Sequence, residues 1–112
     1  MKLSEAIREG SKIRPQGYDF FQVWKGKLRS CALGAALEGA KLVRKPRGDE
    51  SQMEMILLLY KTWPELDRQD VIFNCPADCK EKASLEGLIF RLSDHHKWTR
   101  EQIADWVKEK GY

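Results

Sequence analysis

No apolar stretch of this 112-residue chain is long enough to cross a bilayer: runs such as Ile56 to Tyr60 fall far short of the roughly 20 residues a spanning helix needs. Met1 to Gly10 lacks the apolar core of a secretory leader. These absences lead us to expect a cytoplasmic protein without a membrane partner. Cysteine is scarce, with three residues, Cys31, Cys75 and Cys79. An odd number cannot pair completely within one molecule, and a reducing compartment favours thiols or a metal site over a disulfide framework. The chain is also too short for a dinucleotide-binding domain or an eight-stranded barrel. It has neither an internal repeat nor a low-complexity tract.

What is present is ordinary globular composition, 42% hydrophobic and 33% charged, enough for one modest core and a single domain over 1–112. The net charge of +3 hides an asymmetry. Residues 1–48 carry 11 Lys/Arg against 4 Asp/Glu, whereas 49–112 carry 9 against 13, so the two parts stand at +7 and −4. Such a chain either pairs its halves internally or leaves a basic face for an acidic partner such as nucleic acid.

Apolar spacing predicts helices. Leu3, Ala6, Ile7 and Gly10 mark a short amphipathic helix that ends near Arg14, ahead of Pro15. Ser30 is placed to cap a second helix through Ala40, with Leu33, Ala36, Leu37 and Ala40 on one face. Its other face, Cys31, Gly34 and Ala35, is flat enough for a neighbouring backbone, which puts this helix centrally. Tyr18 to Leu28 reads as a loop or a short hairpin, and Arg44 to Gly48 as an exposed basic turn. Ser51 and Glu54 form a capping-box pattern opening a helix from Met53 to Trp63 that is apolar on nearly all sides. That predicts the core element, one that Leu58→Asp should unfold. Val71 to Phe73 is a strand fragment ahead of a loop, Asn74 to Cys79. Leu85, Leu88, Ile89 and Leu92 define a fourth helix, closing around Ser93 and Asp94. Thr99 and Gln102 form a second capping box before a fifth, with Ile103, Trp106 and Val107 inward. The expected fold is mainly α, one domain of about five helices with room for a short β-hairpin, ending in a helical hairpin.

Cys75 and Cys79 are separated by three residues, within the spacing of zinc ligand pairs. His95 and His96 are the available imidazoles, and Cys31 is the only further thiolate. The candidate site is therefore a structural zinc held by Cys75, Cys79 and His96, with Cys31 a distant fourth ligand and the site closed to substrate. The alternative is that these are plain thiols, small and buried. Cys31, at a helix N-terminus, has the setting of an activated thiolate if a histidine lies near, or simply packs. Lys25, Lys27 and Arg29 interleave with Tyr18, Phe20, Phe21 and Trp24, a composition suited to stacking bases and holding phosphates, or to core packing. Thr99 to Val107 is similar to the first helix of a helix-turn-helix. Paired with the preceding helix it has too long a connection, and a recognition helix would have to follow Tyr112.

The Ser30-Cys31-Ala32-Leu33-Gly34-Ala35-Ala36 segment, with Leu92 to Trp106 and its Trp98-Thr99-Arg100-Glu101-Gln102-Ile103-Ala104-Asp105-Trp106 run, resembles a set of small uncharacterised bacterial and bacteriophage proteins. These share a Cys-Ala-Leu-Gly-Ala segment and a C-terminal Trp-Thr-Arg-Glu-x-Ile-Ala-Asp-Trp segment. Ser93 stands where that pattern has Asn. The resemblance implies a phage or prophage origin and packing of the Cys31 helix on the C-terminal hairpin, and brings no activity.

No nucleophile, base and orienting group stand at interpretable spacing. The expected role is a small non-enzymatic binding or structural protein, most readily with a protein partner. The alternative is a nucleic-acid-binding protein using Lys25, Lys27 and Arg29, and a third is a Cys-His hydrolase at Cys31.

Overall fold

All 112 residues are described by a computed structural model. The chain order is α1 (Leu3–Ser11), β1 (Gln22–Trp24), β2 (Lys27–Arg29), α2 (Ala32–Gly39), α3 (Gln52–Thr62), a 3-10 helix (Pro64–Asp67), β3 (Phe73–Asn74), β4 (Lys82–Ala83), α4 (Leu85–Asp94) and α5 (Arg100–Glu109). The mainly α fold expected from the spacing is therefore the fold observed, with two small antiparallel hairpins, β1-β2 and β3-β4. One cluster of 22 buried residues takes side chains from every helix. No helix is long and apolar enough to cross a membrane.

α1 and α2 make the tightest contact because small residues meet there. Leu3, Ala6, Ile7 and Gly10 are buried on α1, as is every α2 residue from Ala32 to Glu38. Gly10 lies against the backbone of Ala35, Gly39 against that of Ala6, and Gly34 against that of Phe20. The flat face read from Gly34 and Ala35 does receive neighbouring backbone. A partly buried ion pair adds to this contact: Arg14 donates from Nε and Nη2 to the Glu38 carboxylate.

The cap of α2 corrects the sequence reading. Cys31, not Ser30, is the N-cap, and its sulfur accepts from the Gly34 N–H at 3.4 Å. The Ser30 hydroxyl instead accepts from Arg100 Nη1 at 2.9 Å. Arg100 is buried and donates also to the carbonyls of Ser30, Ser11 and Arg14. It thereby ties the end of α1, the β2-α2 junction and the start of α5 together.

A second correction concerns α3, which is peripheral rather than central. Only Met55 and Leu59 are buried on it, while Met53 is 65% and Leu57 60% exposed. An all-round apolar pattern buries all round only when neighbours stand on every side. Here α3 meets chiefly the 3-10 helix and α2. Leu58 is half-buried, so the disruptive position is Leu59.

Tyr18 to Leu28 resolves as a hairpin. Lys25 (φ 51°) and Gly26 (φ 75°) form its two-residue turn, and positive φ at both centres matches the primed turns that suit strand twist. The register pairs Gln22 with Arg29, Val23 with Leu28 and Trp24 with Lys27. α4 and α5 close the chain as the expected helical hairpin. The Thr99 capping box is complete, Thr99 Oγ1 accepting from Gln102 N–H at 3.1 Å and Gln102 Oε1 from Thr99 N–H at 2.8 Å. At Ser51 only half of the pattern forms, its hydroxyl accepting from Glu54 N–H.

Candidate functional site

The strand fragment at Phe73 pairs with Ala83, and Asn74 with Lys82, so Cys75 and Cys79 occupy the loop of a hairpin. Ser84, the next residue after β4, caps α4 through Gly87 N–H. Hairpin and helix are thus contiguous. The ten residues of α4 rise about 15 Å, and the strand path from Cys79 back to Ala83 covers about 13 Å. The loop therefore comes level with the far end of α4, where His96 emerges. Phe73 meets Trp106 of α5 edge to face, ring centroids 6.1 Å apart.

The ligand atoms of Cys75, Cys79 and His96 all lie within 4.8 Å of one another. Cys75 Sγ is 3.6 Å from His96 Nε2. A tetrahedral zinc with bonds of about 2.3 Å to sulfur and about 2.0 Å to nitrogen sets its S···N edge near 3.6 Å. The backbone suits thiolates as well: the N–H of Ala77 acts on the Cys75 sulfur and that of Glu81 on the Cys79 sulfur, each two residues on. Arg91, ion-paired with Glu81 at 3.5 Å, adds positive charge. The Cys79 thiol is drawn down to about 7, first by the neighbouring Cys75 thiol, then by the Glu81 N–H, His96 and Arg91. Burial pushes the Cys75 thiol up. In this arrangement Cys79 ionises more readily than Cys75.

The three proposed ligands are brought together; the two further candidates are not. His95 is exposed and outside the cluster. Cys31 is buried as the cap of α2, its thiol pushed up to about 11 by burial. This corrects the expectation of a low-pKa thiolate: loss of hydration outweighs the two helix N–H groups, of Gly34 and Leu33, that favour the anion. The cluster supplies three protein ligands rather than four, which leaves a tetrahedral ion one position for water. None of the three principal surface grooves is lined by these residues.

The second candidate set, Lys25, Lys27 and Arg29, lies on the β1-β2 hairpin. Strand alternation puts Gln22, Trp24, Lys27 and Arg29 on one face. Val23 and Leu28 are on the other, toward Gly48. Lys25 stands at the turn. Tyr18 joins the first face, and Lys97 lies over its ring at 4.7 Å. Sequence reading missed Lys97 because 79 residues separate it from Tyr18. It likewise missed the buried Arg100.

No family model, curated protein or solved structure matches the chain.

Proposed function

We propose that this is a small non-enzymatic binding protein whose loop from Asn74 to Cys79 is tied to the end of α4 by a structural zinc ion on Cys75, Cys79 and His96. One observation carries the reading: thiol, thiol and imidazole converge within 4.8 Å of one another, the Cys75–His96 spacing of 3.6 Å matching a tetrahedron's edge, on segments with little regular structure of their own. Three protein ligands alone would also suit a catalytic ion. Two features favour the structural role. The site lies apart from the grooves at the β1-β2 hairpin and along α1, and its neighbouring carboxylate, Glu81, is engaged by Arg91. A Cys-His hydrolase is disfavoured by the burial and raised pKa of Cys31. The likeness of the Cys31 and Trp98 to Trp106 segments to bacteriophage proteins supports a phage or prophage origin.

The test is metal content and melting of protein purified without a histidine tag. Because metal binding is coupled to folding, chelator should lower the Tm, and Cys79→Ser or His96→Ala should abolish both the metal and the chelator's effect. Zinc well below one ion per chain, with melting unchanged by chelator, would refute the site.

A further inference from the structure

The groove beside the β1-β2 hairpin has features that the core does not require. Trp24 and Tyr18 are each 54% exposed, whereas aromatic side chains in a small domain are ordinarily used for burial. They border a groove of about 530 Å³, lined otherwise by Gln16, Gly17, Gln22, Lys25 and Arg29. Lys27 lies opposite Trp24 in the register, and Lys97 covers Tyr18. None of Lys25, Lys27, Arg29 and Lys97 is in an ion pair. Arg29 Nε is buried without a hydrogen-bond partner. Asp19 is the sole acid between Pro15 and Ser30.

We propose that this face binds single-stranded nucleic acid, with one base stacked on Trp24 and another on the face of Tyr18 that Lys97 does not cover, and phosphates held by Lys25, Lys27, Arg29 and Lys97. The combination selects the ligand. Cations with no carboxylate partner suit an anion, although Arg29 Nη1 also donates to the Gln16 carbonyl, and exposed flat rings add most affinity where the anion offers flat faces, which unpaired bases do and duplex bases do not. An acidic peptide would satisfy the charges and leave both rings in water. The Gln22 side chain on the same face offers hydrogen bonds to base edges without selecting one base. This names the partner of the binding role proposed above and rests on that role, but not on the metal.

The experiment is anisotropy of a labelled oligothymidylate about 15 nucleotides long, titrated with the full metal-loaded chain. Saturable binding is expected at about 50 mM salt, with log K falling against log salt at a slope near −3 for four neutralised phosphates. Trp24→Leu should weaken binding about tenfold or more at unchanged slope. Lys25→Gln with Lys27→Gln should roughly halve the slope. All these positions are exposed, so circular dichroism should remain that of the parent chain. No binding, undiminished binding in both Trp24→Leu and Tyr18→Leu, or preference for duplex DNA or polyglutamate would overturn the proposal. Zinc content is measured separately, so failure of the metal site and failure of this face are distinguishable.

Discussion

Gly10→Ala and Gly87→Ala are the same chemical change on two helices, and the structure predicts opposite importance for them. A Cβ at Gly10 would fall on the carbonyl group of Ala35, far inside van der Waals contact. The obstacle is backbone in the middle of a buried helix, so no side chain can rotate aside, and α1 must lift from α2. Such overpacking costs about 1–3 kcal/mol, and the upper end applies where backbone is struck. Alanine's helix preference returns about 1 kcal/mol. The net loss is about 2 kcal/mol, or about 8 °C in Tm at roughly 4 °C per kcal/mol for a chain of this size. A Cβ at Gly87 meets only the Ala83 Cβ at 3.2 Å and the Ser84 Oγ at 3.3 Å. Those neighbours need give by only a few tenths of an ångström, and alanine's helix preference of about 1 kcal/mol offsets that strain, so this variant should stay within about 0.5 kcal/mol of the parent. Thermal melts of the two variants under identical conditions make the comparison. If Gly10→Ala melts within about 2 °C of the parent, or no lower than Gly87→Ala, the backbone contact is not as close as described.

The other predictions concern α3, Arg100, Tyr60 and the thiols. Leu59→Ala should cost about 2–5 kcal/mol in urea unfolding and Leu57→Ala less than about 0.5; equal losses would contradict the peripheral placement of α3. Arg100→Leu leaves three segments without their shared donor and should cost about 2–4 kcal/mol. Arg100→Lys should rescue little, since an ammonium lacks the planar fork, and parent-like melting of the Lys variant would remove the hub. Burial and the hydrogen bond to Glu86 push Tyr60 up to about 12, against about 10 unfolded. The neutral phenol is the favoured folded form, so its contribution is intact below about pH 10 and lost toward pH 12. The parent should therefore lose more stability than Tyr60→Phe across that window, by at most about 2 kcal/mol after solvent screening; parallel pH curves would refute this. Iodoacetamide on metal-free protein at neutral pH, followed by peptide mass spectrometry, should label Cys79 first and leave Cys31 unlabelled until unfolding. Early labelling of Cys31 would show its cap to be open.

The helices were legible where one face is apolar and one polar, because that contrast settles both the element and its orientation. α1, α4 and α5 are of this kind, and every residue the spacing picks out on them is buried, with Ser4, Ser93, Arg100 and Ala104 buried besides. α3 shows the limit. A run such as Ile56 to Leu59 states that helix is favoured but gives no preferred face, and only the positions of neighbours decide that Leu59 is covered and Leu57 is not. Arg100 is hidden for a related reason. It is the first residue of α5, ordinarily a hydrated position, and becomes buried because three segments distant in sequence turn their carbonyls toward it. The Ser30 error has the same origin, since the hydroxyl expected at the cap is claimed by Arg100.

For the metal cluster, spacing singled out Cys75 and Cys79 and His96 was named with them; what the sequence did not contain is the physical reason that His96 rather than His95 reaches the loop. The Arg91 carbonyl accepts from both His95 and His96 N–H, and Lys97 then turns with φ 57°. This termination sends His96 toward the cysteine loop and sets Lys97 over Tyr18. One turn of chain thus serves both candidate surfaces. On the hairpin, the deciding unknown was the turn. Once Lys25 and Gly26 are the two turn residues, period-two alternation has to place Trp24 beside Lys27 and Gln22 beside Arg29 on one face. A one-residue slip of one strand past the other would instead pair Trp24 with Leu28, send Lys27 and Arg29 to the opposite face and break up the set. Exchanging two neighbours on β1 tests this: the double variant Val23→Trp, Trp24→Val should weaken oligothymidylate binding as much as Trp24→Leu does while leaving the zinc content intact, because strand alternation carries the ring to the face away from Lys27 and Arg29 without touching Cys75, Cys79 or His96. Retained binding in that variant would mean that charge alone, not the arranged face, holds the strand.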